Sequence, residues 1–326
     1  MRTLLKKDWQ DFLLFSPMAQ TMQSKVRSSL TDLPVLFKRS FVILTHNDPL
    51  RMAGATAFFT SFALPFILIL LTQFMSLLFD PLKIRRELFQ DLSSVLGRES
   101  VRQVVDTLIA FRQLAYNIWI ALFGFVFLLM VATTLLMVVK GSINQLWRIK
   151  VEEGRSVIGK LGTRLQSILI IVGTGILIII SILAEAARVQ MSHNISGVST
   201  TIAIFVNGGL TYFFSLLFVT VWFGIIFRLL PDARPSCRVA LTGGFVTAVL
   251  FIIGRYILRT LLINSNISTL YGTSGSIVLI LLFVFYSSLI LYFGAAFTHE
   301  CADYIHQPIK PLPYARRYKV EEVRGG

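Results

Sequence analysis

The sequence predicts an all-α membrane protein, a polytopic bundle of about six transmembrane helices with an amphipathic outer helical hairpin between the first two. Three observations predict this fold. Of the 326 residues 55% are hydrophobic, only 15% are charged, and the mean hydropathy is +0.71. Soluble domains carry about 25% charged residues. The apolar residues also occur in runs of about 20, the length that spans the ~30 Å hydrocarbon core of a bilayer.

Six apolar segments have the length of membrane spans, and they define a membrane domain over residues 52–298. A mixed, basic arm (residues 1–51) precedes this domain, and a basic, Pro-rich tail (residues 299–326) follows it. In the arm, residues 33–44 alternate apolar and basic residues, which favours an amphipathic helix on the membrane surface. Pro65 predicts a kink in the first span. The predicted spans are residues 52–79, 118–139, 165–187, 201–227, 239–263 and 277–298.

The segment between the first two spans, residues 81–116, is amphipathic and is not continuously apolar. Its apolar residues fall on one helical face as far as Gly97. Ser100 and Gln103 then have the spacing of a capping box, which indicates the start of a second helix. The segment therefore predicts a helical hairpin that lies over the outer mouth of the bundle.

The distribution of lysine and arginine predicts the orientation in the membrane. Of the 31 basic residues, 22 lie in segments on one side of the predicted spans and 7 on the other. Because cytoplasmic loops collect Lys and Arg, both termini are expected in the cytoplasm of a bacterial inner (plasma) membrane protein with several spans. The net charge of +14 is then a consequence of topology. No nucleic-acid-binding motif accompanies it, so no nucleic acid partner is expected.

Three ionisable residues lie inside predicted spans: Glu185, Arg255 and Arg259. At 1.5 Å per residue all three fall near the outer boundary at similar heights, and Asn207 can join them from the fourth span. Ionisable residues inside membranes usually face a bundle interior or a water-filled cavity. The group predicts an outward-facing, net-positive ligand site for an anionic group such as a lipid phosphate or a carboxylate. The structural alternative is a pair of Glu185 with one arginine, plus an arginine that reaches the interface.

Enzyme chemistry finds little support in the sequence, and no catalytic residue, metal site or cofactor is predicted. The histidines lack metal-ligand spacing, and no zinc-protease or phosphate-loop motif occurs. Glu300 and Asp303 lie near His299, but we interpret them as a charged helix end at the cytoplasmic interface. The four histidines are His46, His193, His299 and His306.

Asn144, Trp147 and Arg148 at the end of the second span belong to a set of short motifs, and this set resembles the YihY/BrkB family of bacterial inner-membrane proteins. The second span ends in a segment similar to the family's Asn-x-x-Trp-Arg motif, and further motifs follow in the family's order over about residues 40 to 300. The resemblance implies a six-helix inner-membrane fold with cytoplasmic termini. It implies no single activity, because members have been labelled as ribonuclease, serum-resistance factor and transporter. The motif residues are Asn144, Trp147, Arg148, Pro231, Tyr271, Gly272 and Gly294.

The sequence thus predicts a transporter or lipid-handling protein with an outward-facing cationic cavity. Its expected partners are membrane lipids and an anionic amphipathic substrate, and a homo-oligomer is compatible with the sequence. Two alternatives stay open. One is a non-catalytic membrane scaffold or regulator of envelope assembly, and the other is a membrane-associated hydrolase or nuclease, for which the sequence offers no catalytic cluster.

Overall fold

The fold is described from a computed structural model for residues 32–76, 93, 101–102, 105–106, 118–151, 200–263 and 275–319. Within these ranges the chain is mainly helical, with four short strands near one end of the bundle. The helices are α1 (Leu33–Thr45), α2 (Pro49–Ser76), α3 (Ile118–Leu146), α4 (Thr200–Leu229), α5 (Cys237–Ile263) and α6 (Gly275–Tyr304). The strands are β1 (Ile149–Val151), β2 (Ala233–Arg234), β3 (Lys310–Pro311) and β4 (Ala315–Arg317).

Five of the six predicted spans fall on described residues, and each of the five is a long helix. Two helices, over Cys237–Leu258 and Ile277–Tyr304, are long and apolar enough to cross a membrane. Shorter apolar helical stretches cover Met130–Leu146 and Phe213–Leu229. The helical character of the bundle is therefore confirmed, while the number of six spans stays a prediction. The third predicted span and most of the outer hairpin lie outside the described residues.

Two helices continue beyond their predicted ends. α3 extends seven residues past Val139 to Leu146, and α6 extends six residues past Thr298 to Tyr304. The added turns are not apolar throughout, so hydropathy gave no reason to include them. They form because their side chains pack into the core, where Ile143 is fully buried and Leu146 nearly so.

The buried core gathers at the end of the bundle where α3, α4 and α6 finish and where α2 and α5 begin. α4 packs along α5, α5 along α6, α6 along α2, and α2 along α3. Lys and Arg side chains surround this end of the molecule, and we call it the basic end. It carries Arg39, Lys140, Arg148, Lys150, Arg234, Arg238, Arg316 and Arg317.

α1 confirms the predicted helix at residues 33–44, and its apolar face packs on α6. The ring of Phe37 lies 5.5 Å from that of Phe293 and 5.3 Å from that of Phe297 between centroids. The opposite face of α1 exposes Val35 and Val42. Whether this face lies on a membrane surface stays a prediction.

α5 and α6 approach closely through a reciprocal arrangement of glycine and threonine. Gly243 on α5 faces Thr298 on α6, and Gly294 on α6 faces Thr247 on α5. Each threonine hydroxyl donates a hydrogen bond within its own helix, from Thr247 to the Gly243 carbonyl (2.6 Å) and from Thr298 to the Gly294 carbonyl (2.7 Å). Small residues at such crossings allow membrane helices to pack at short distance.

Replacing Gly294 with alanine is expected to lower the free energy of unfolding by about 1–3 kcal/mol, because the added Cβ would overlap the Thr247 side chain. The matched control is Gly141→Ala on α3, where an added Cβ meets no atom within 4 Å. Unfolding in mixed detergent micelles would measure both variants. Thr247→Ala should restore part of the loss in Gly294→Ala. Equal stability of the two glycine variants would contradict the crossing.

Candidate functional site

The structure describes the predicted outward site only in part. Arg255 lies on α5 with an exposed side chain, and it forms no ion pair or hydrogen bond with any residue that the structure describes. Arg259 follows one turn later on α5, and Asn207 lies on α4, but the side chains of both are outside the described part of the chain. Glu185 lies outside the described residues altogether. The convergence of the four therefore stays a prediction.

The surroundings of Arg255 are apolar and aromatic. Tyr256, the next residue, has a relative exposure of 74%, and Ile253 and Ile257 are also exposed. Arg255 follows Arg238 by 17 residues on the same helix, which places it about 26 Å along the axis from the basic end. The Arg255 guanidinium thus lies on an apolar surface of α5, near the end of the bundle opposite the basic end.

Asn144 of the family motif belongs to a buried polar network at the basic end. The Nδ2 atom of Asn144, on the last turns of α3, donates to Asp232 Oδ2 (2.8 Å), and its Oδ1 accepts from the Asp232 amide (2.9 Å). Lys140, one turn earlier on α3, places its Nζ 2.7 Å from Asp232 Oδ1. The side-chain exposure is 9% for Lys140 and 2% for Asp232, so this ion pair is buried.

The carboxyl-terminal segment completes this network. Tyr314 donates its hydroxyl to Asp232 Oδ1 at 2.9 Å, and the Leu312 amide donates to the Asp232 carbonyl at 3.0 Å. Asp232 follows the buried Pro231 in the turn between α4 and α5. The carboxylate therefore contacts three side chains, two from α3 and one from the tail, which satisfies a buried charge that would otherwise be costly.

A second buried contact joins the same helices. Trp147 is fully buried, and its Nε1 donates to the Ala295 carbonyl of α6 at 2.8 Å. Tyr292, one turn earlier on α6, shares a hydrogen bond with the Thr56 hydroxyl of α2. Both aromatic side chains keep a polar partner when buried, as Trp and Tyr usually do. They fix α6 against α2 and against the end of α3.

The tail after α6 is tied to both loops of the basic end. β2 pairs antiparallel with β3, and β1 pairs antiparallel with β4. The sequence analysis predicted only a basic, Pro-rich tail here. The strands are two or three residues long, so they carry no periodic pattern that the sequence could reveal. Segments far apart in the chain are thereby held at one end of the bundle.

His299 lies near the paired strands β1 and β4, and charged side chains surround it. Its Nε2 accepts from the Arg317 guanidinium at 3.3 Å, and the same guanidinium nitrogen lies 3.6 Å from Asp303 Oδ2. His299 is buried, although the sequence interpretation placed it on a charged helix end. Across the described ranges, no group of three or more His, Cys, Asp and Glu residues has the arrangement of a metal site.

Sequence reasoning singled out Asn144 and Trp147 but missed their partners. Lys140 directly follows a continuous apolar run, and Asp232 directly follows a Leu-Pro turn. Either feature could have indicated a charged residue at the end of a span. The local sequence, however, does not show which residues 88 positions apart contact each other, as Asn144 and Asp232 do. No feature of the sequence around Tyr314 indicated that its hydroxyl contacts Asp232.

Comparisons with known proteins assign the chain to a family of membrane proteins. The chain matches the family described as Virulence factor BrkB over residues 41–318, a range that includes all seven motif residues. A UPF0761 membrane protein of Psychromonas ingrahamii (strain DSM 17664 / CCUG 51855 / 37) is 31% identical over 93 residues, which are 28% of this chain and 32% of that relative. The match therefore spans about a third of the relative's length. No solved structure matches the chain.

Proposed function

This chain belongs to the Virulence factor BrkB family and is a membrane protein, and on that premise we propose that it binds and moves an anionic, lipid-like molecule without enzymatic chemistry. The observation that carries the proposal is Arg255, an exposed and unpaired cation, among the described residues, on an apolar membrane-span helix. A transporter or lipid-handling protein needs such a group to hold a charged headgroup inside an otherwise apolar surface.

The physical argument concerns the cost of that cation. An arginine at the centre of a membrane helix costs roughly 2.5–3.5 kcal/mol, and the cost falls when the guanidinium reaches the interface or pairs with an anion. A guanidinium binds a phosphate or carboxylate through two parallel hydrogen bonds. Tyr256 beside Arg255 is suited to the same depth, because tyrosine favours the membrane interface.

The orientation of the protein in the membrane decides on which side the proposed Arg255 site opens. With the basic end in the cytoplasm of a bacterial inner membrane, both termini are cytoplasmic and Arg255 lies toward the outer leaflet. Arg259, Asn207 and Glu185 would form the remaining wall of an outward-facing cationic cavity. The substrate proposed is therefore an anionic amphipathic molecule that enters from the outer leaflet.

Native mass spectrometry of the purified full-length protein with its co-purified lipids tests the proposal. Wild type should retain an anionic lipid that Arg255→Ala/Arg259→Ala loses. The matched control is Arg234→Ala/Arg238→Ala, which removes two exposed cations, one in β2 and one on the first turn of α5, at the basic end. The control should keep the lipid. Retention of the same lipids by all three folded proteins would contradict the proposal.

A scaffold or regulator of envelope assembly is the second candidate. The observation that favours it is the fully paired Lys140–Asp232 contact within an interlocked basic end, which resembles a rigid platform more than a moving gate. Under this reading Arg255 has no ligand, so the two double variants would behave alike in lipid retention and in stability.

A further inference from the structure

Two arginines from distant parts of the chain, Arg148 and Arg317, are brought to neighbouring backbone positions at the basic end. In the β1–β4 ribbon Ile149 pairs with Arg317, and the Tyr318 amide donates to the Arg148 carbonyl at 3.0 Å. Arg148 interacts electrostatically with His299 and Glu300, and Arg317 with His299. Both guanidinium groups therefore act on the same last turns of α6.

Arg148 has a backbone conformation that is unfavourable for an arginine. Its φ of 56° is in the left-handed region, which glycine and asparagine adopt more readily than arginine. Its side chain is exposed and makes no hydrogen bond or ion pair within the described part of the chain. The turn alone therefore gives no reason for an arginine at this position, and its guanidinium has donors to offer to an external group.

Arg317 is held in place by a long ion pair with Asp303 and by a hydrogen bond to His299. Its 3.6 Å separation from Asp303 Oδ2 is too long for a hydrogen bond, and its side chain keeps 40% of its exposure. The buried His299 accepts one guanidinium N–H through Nε2. In that tautomer Nδ1 carries the proton, and it has no partner among the described residues. His299 is thus a positioning residue that aims Arg317.

The charges at this place leave a positive excess. Arg39 of α1 interacts with Glu300, and Asp303 lies beside Arg317, so both carboxylates have a cation of their own. Arg148 also acts on Glu300, so the guanidinium groups of Arg39, Arg148 and Arg317 face two carboxylates. An anion would add the missing acceptors, and a phosphate group matches two guanidinium groups better than a single carboxylate does.

We propose that Arg148 and Arg317 form a binding site for a phosphate group at the basic end, with His299 and Asp303 positioning Arg317. The ligand is either the headgroup of an anionic phospholipid or a soluble phosphate ester. The site lies at the opposite end of the bundle from Arg255, so it neither depends on the proposed function nor shares its residues.

Isothermal titration of the full-length protein in detergent micelles tests the site with two probes, short-chain dihexanoyl phosphatidylglycerol and glycerol 3-phosphate. Arg148→Asn removes the cation while keeping a residue that tolerates the left-handed backbone. Arg317→Gln keeps a donor for His299 without the charge. The control, Arg234→Gln, removes an exposed cation of the same end outside the site. Circular dichroism and gel filtration confirm folding.

Each variant should raise the dissociation constant on the order of tenfold, since a charge-assisted bidentate contact is lost, and the control should leave it unchanged. Binding of both probes assigns a soluble phosphate ester, and binding of the lipid alone assigns a headgroup. If Arg148→Asn fails to fold, Arg148→Lys takes its place, because it keeps the charge and loses the planar fork. Unchanged binding in the site variants, an equal loss in the control, or no binding of either probe would overturn the site.

Discussion

Replacing Asp232 with alanine is expected to lower the free energy of unfolding by about 3–5 kcal/mol, because the buried Lys140 ammonium would lose its counter-charge. Asn144 and Tyr314 would lose their acceptor at the same time. The tail would lose this side-chain anchor and keep its strand pairing and the backbone hydrogen bonds of Leu312 and Tyr318. Unfolding in mixed detergent micelles, followed by circular dichroism, would measure the change.

A second ion pair supplies the control for this prediction. Asp48 lies 3.7 Å from Arg51, and the two side chains are 75% and 65% exposed. Asp48 has a left-handed backbone (φ 51°) that asparagine tolerates, so Asp48→Asn removes only the charge and should cost less than about 1 kcal/mol. The double variant Asp232→Ala/Lys140→Met should recover much of the loss, since it removes the unpaired charge. Equal stability of Asp232→Ala and Asp48→Asn would contradict a stabilising role for the Asp232 network.

Replacing Trp147 with alanine is expected to lower the free energy of unfolding by about 3–5 kcal/mol, because the loss of a fully buried indole would leave a cavity. Trp147 is in the core that joins the end of α3 to α6, and its Nε1 donates to the Ala295 carbonyl. The void would therefore open between helices that hold the basic end together.

Trp147→Phe separates the two contributions of this side chain. Phenylalanine fills most of the volume and loses the hydrogen bond, so its cost should be nearer to that of one buried hydrogen bond, about 1 kcal/mol, plus a small cavity. Thermal unfolding and gel filtration in detergent would rank wild type, Trp147→Phe and Trp147→Ala in that order. Equal stability of the two variants would show that the hydrogen bond, and not the packing, dominates.

The positions of the helices could be predicted because a membrane span is a local property. An apolar run such as residues 239–263 must satisfy its backbone hydrogen bonds internally, and a helix does so within one segment. The end of each helix was predicted less well, because packing decides it. Leu146 and Tyr304 end helices that hydropathy alone would have stopped earlier.

The candidate sites show the same division. The depths of Arg255 and Arg259 in the membrane follow from the helical rise alone. Whether their side chains are exposed, and whether they meet Glu185 and Asn207, does not follow from it. At the basic end, the motif pointed to Asn144 and Trp147, but their partners Asp232 and Ala295 come from other helices. A motif identifies a residue under constraint without naming the residue that it contacts.

The sequence by itself determined that this is a helical membrane protein with its basic segments at one end, because hydrophobicity and charge act segment by segment. Only the tertiary structure decided that Lys140, Asp232 and Tyr314 meet, and that the tail closes over both loops through β3 and β4. These contacts join residues far apart in the chain. Their stability comes from pairing each buried charge and backbone group with a partner, which offsets the cost of removing it from water, and no single segment supplies both partners.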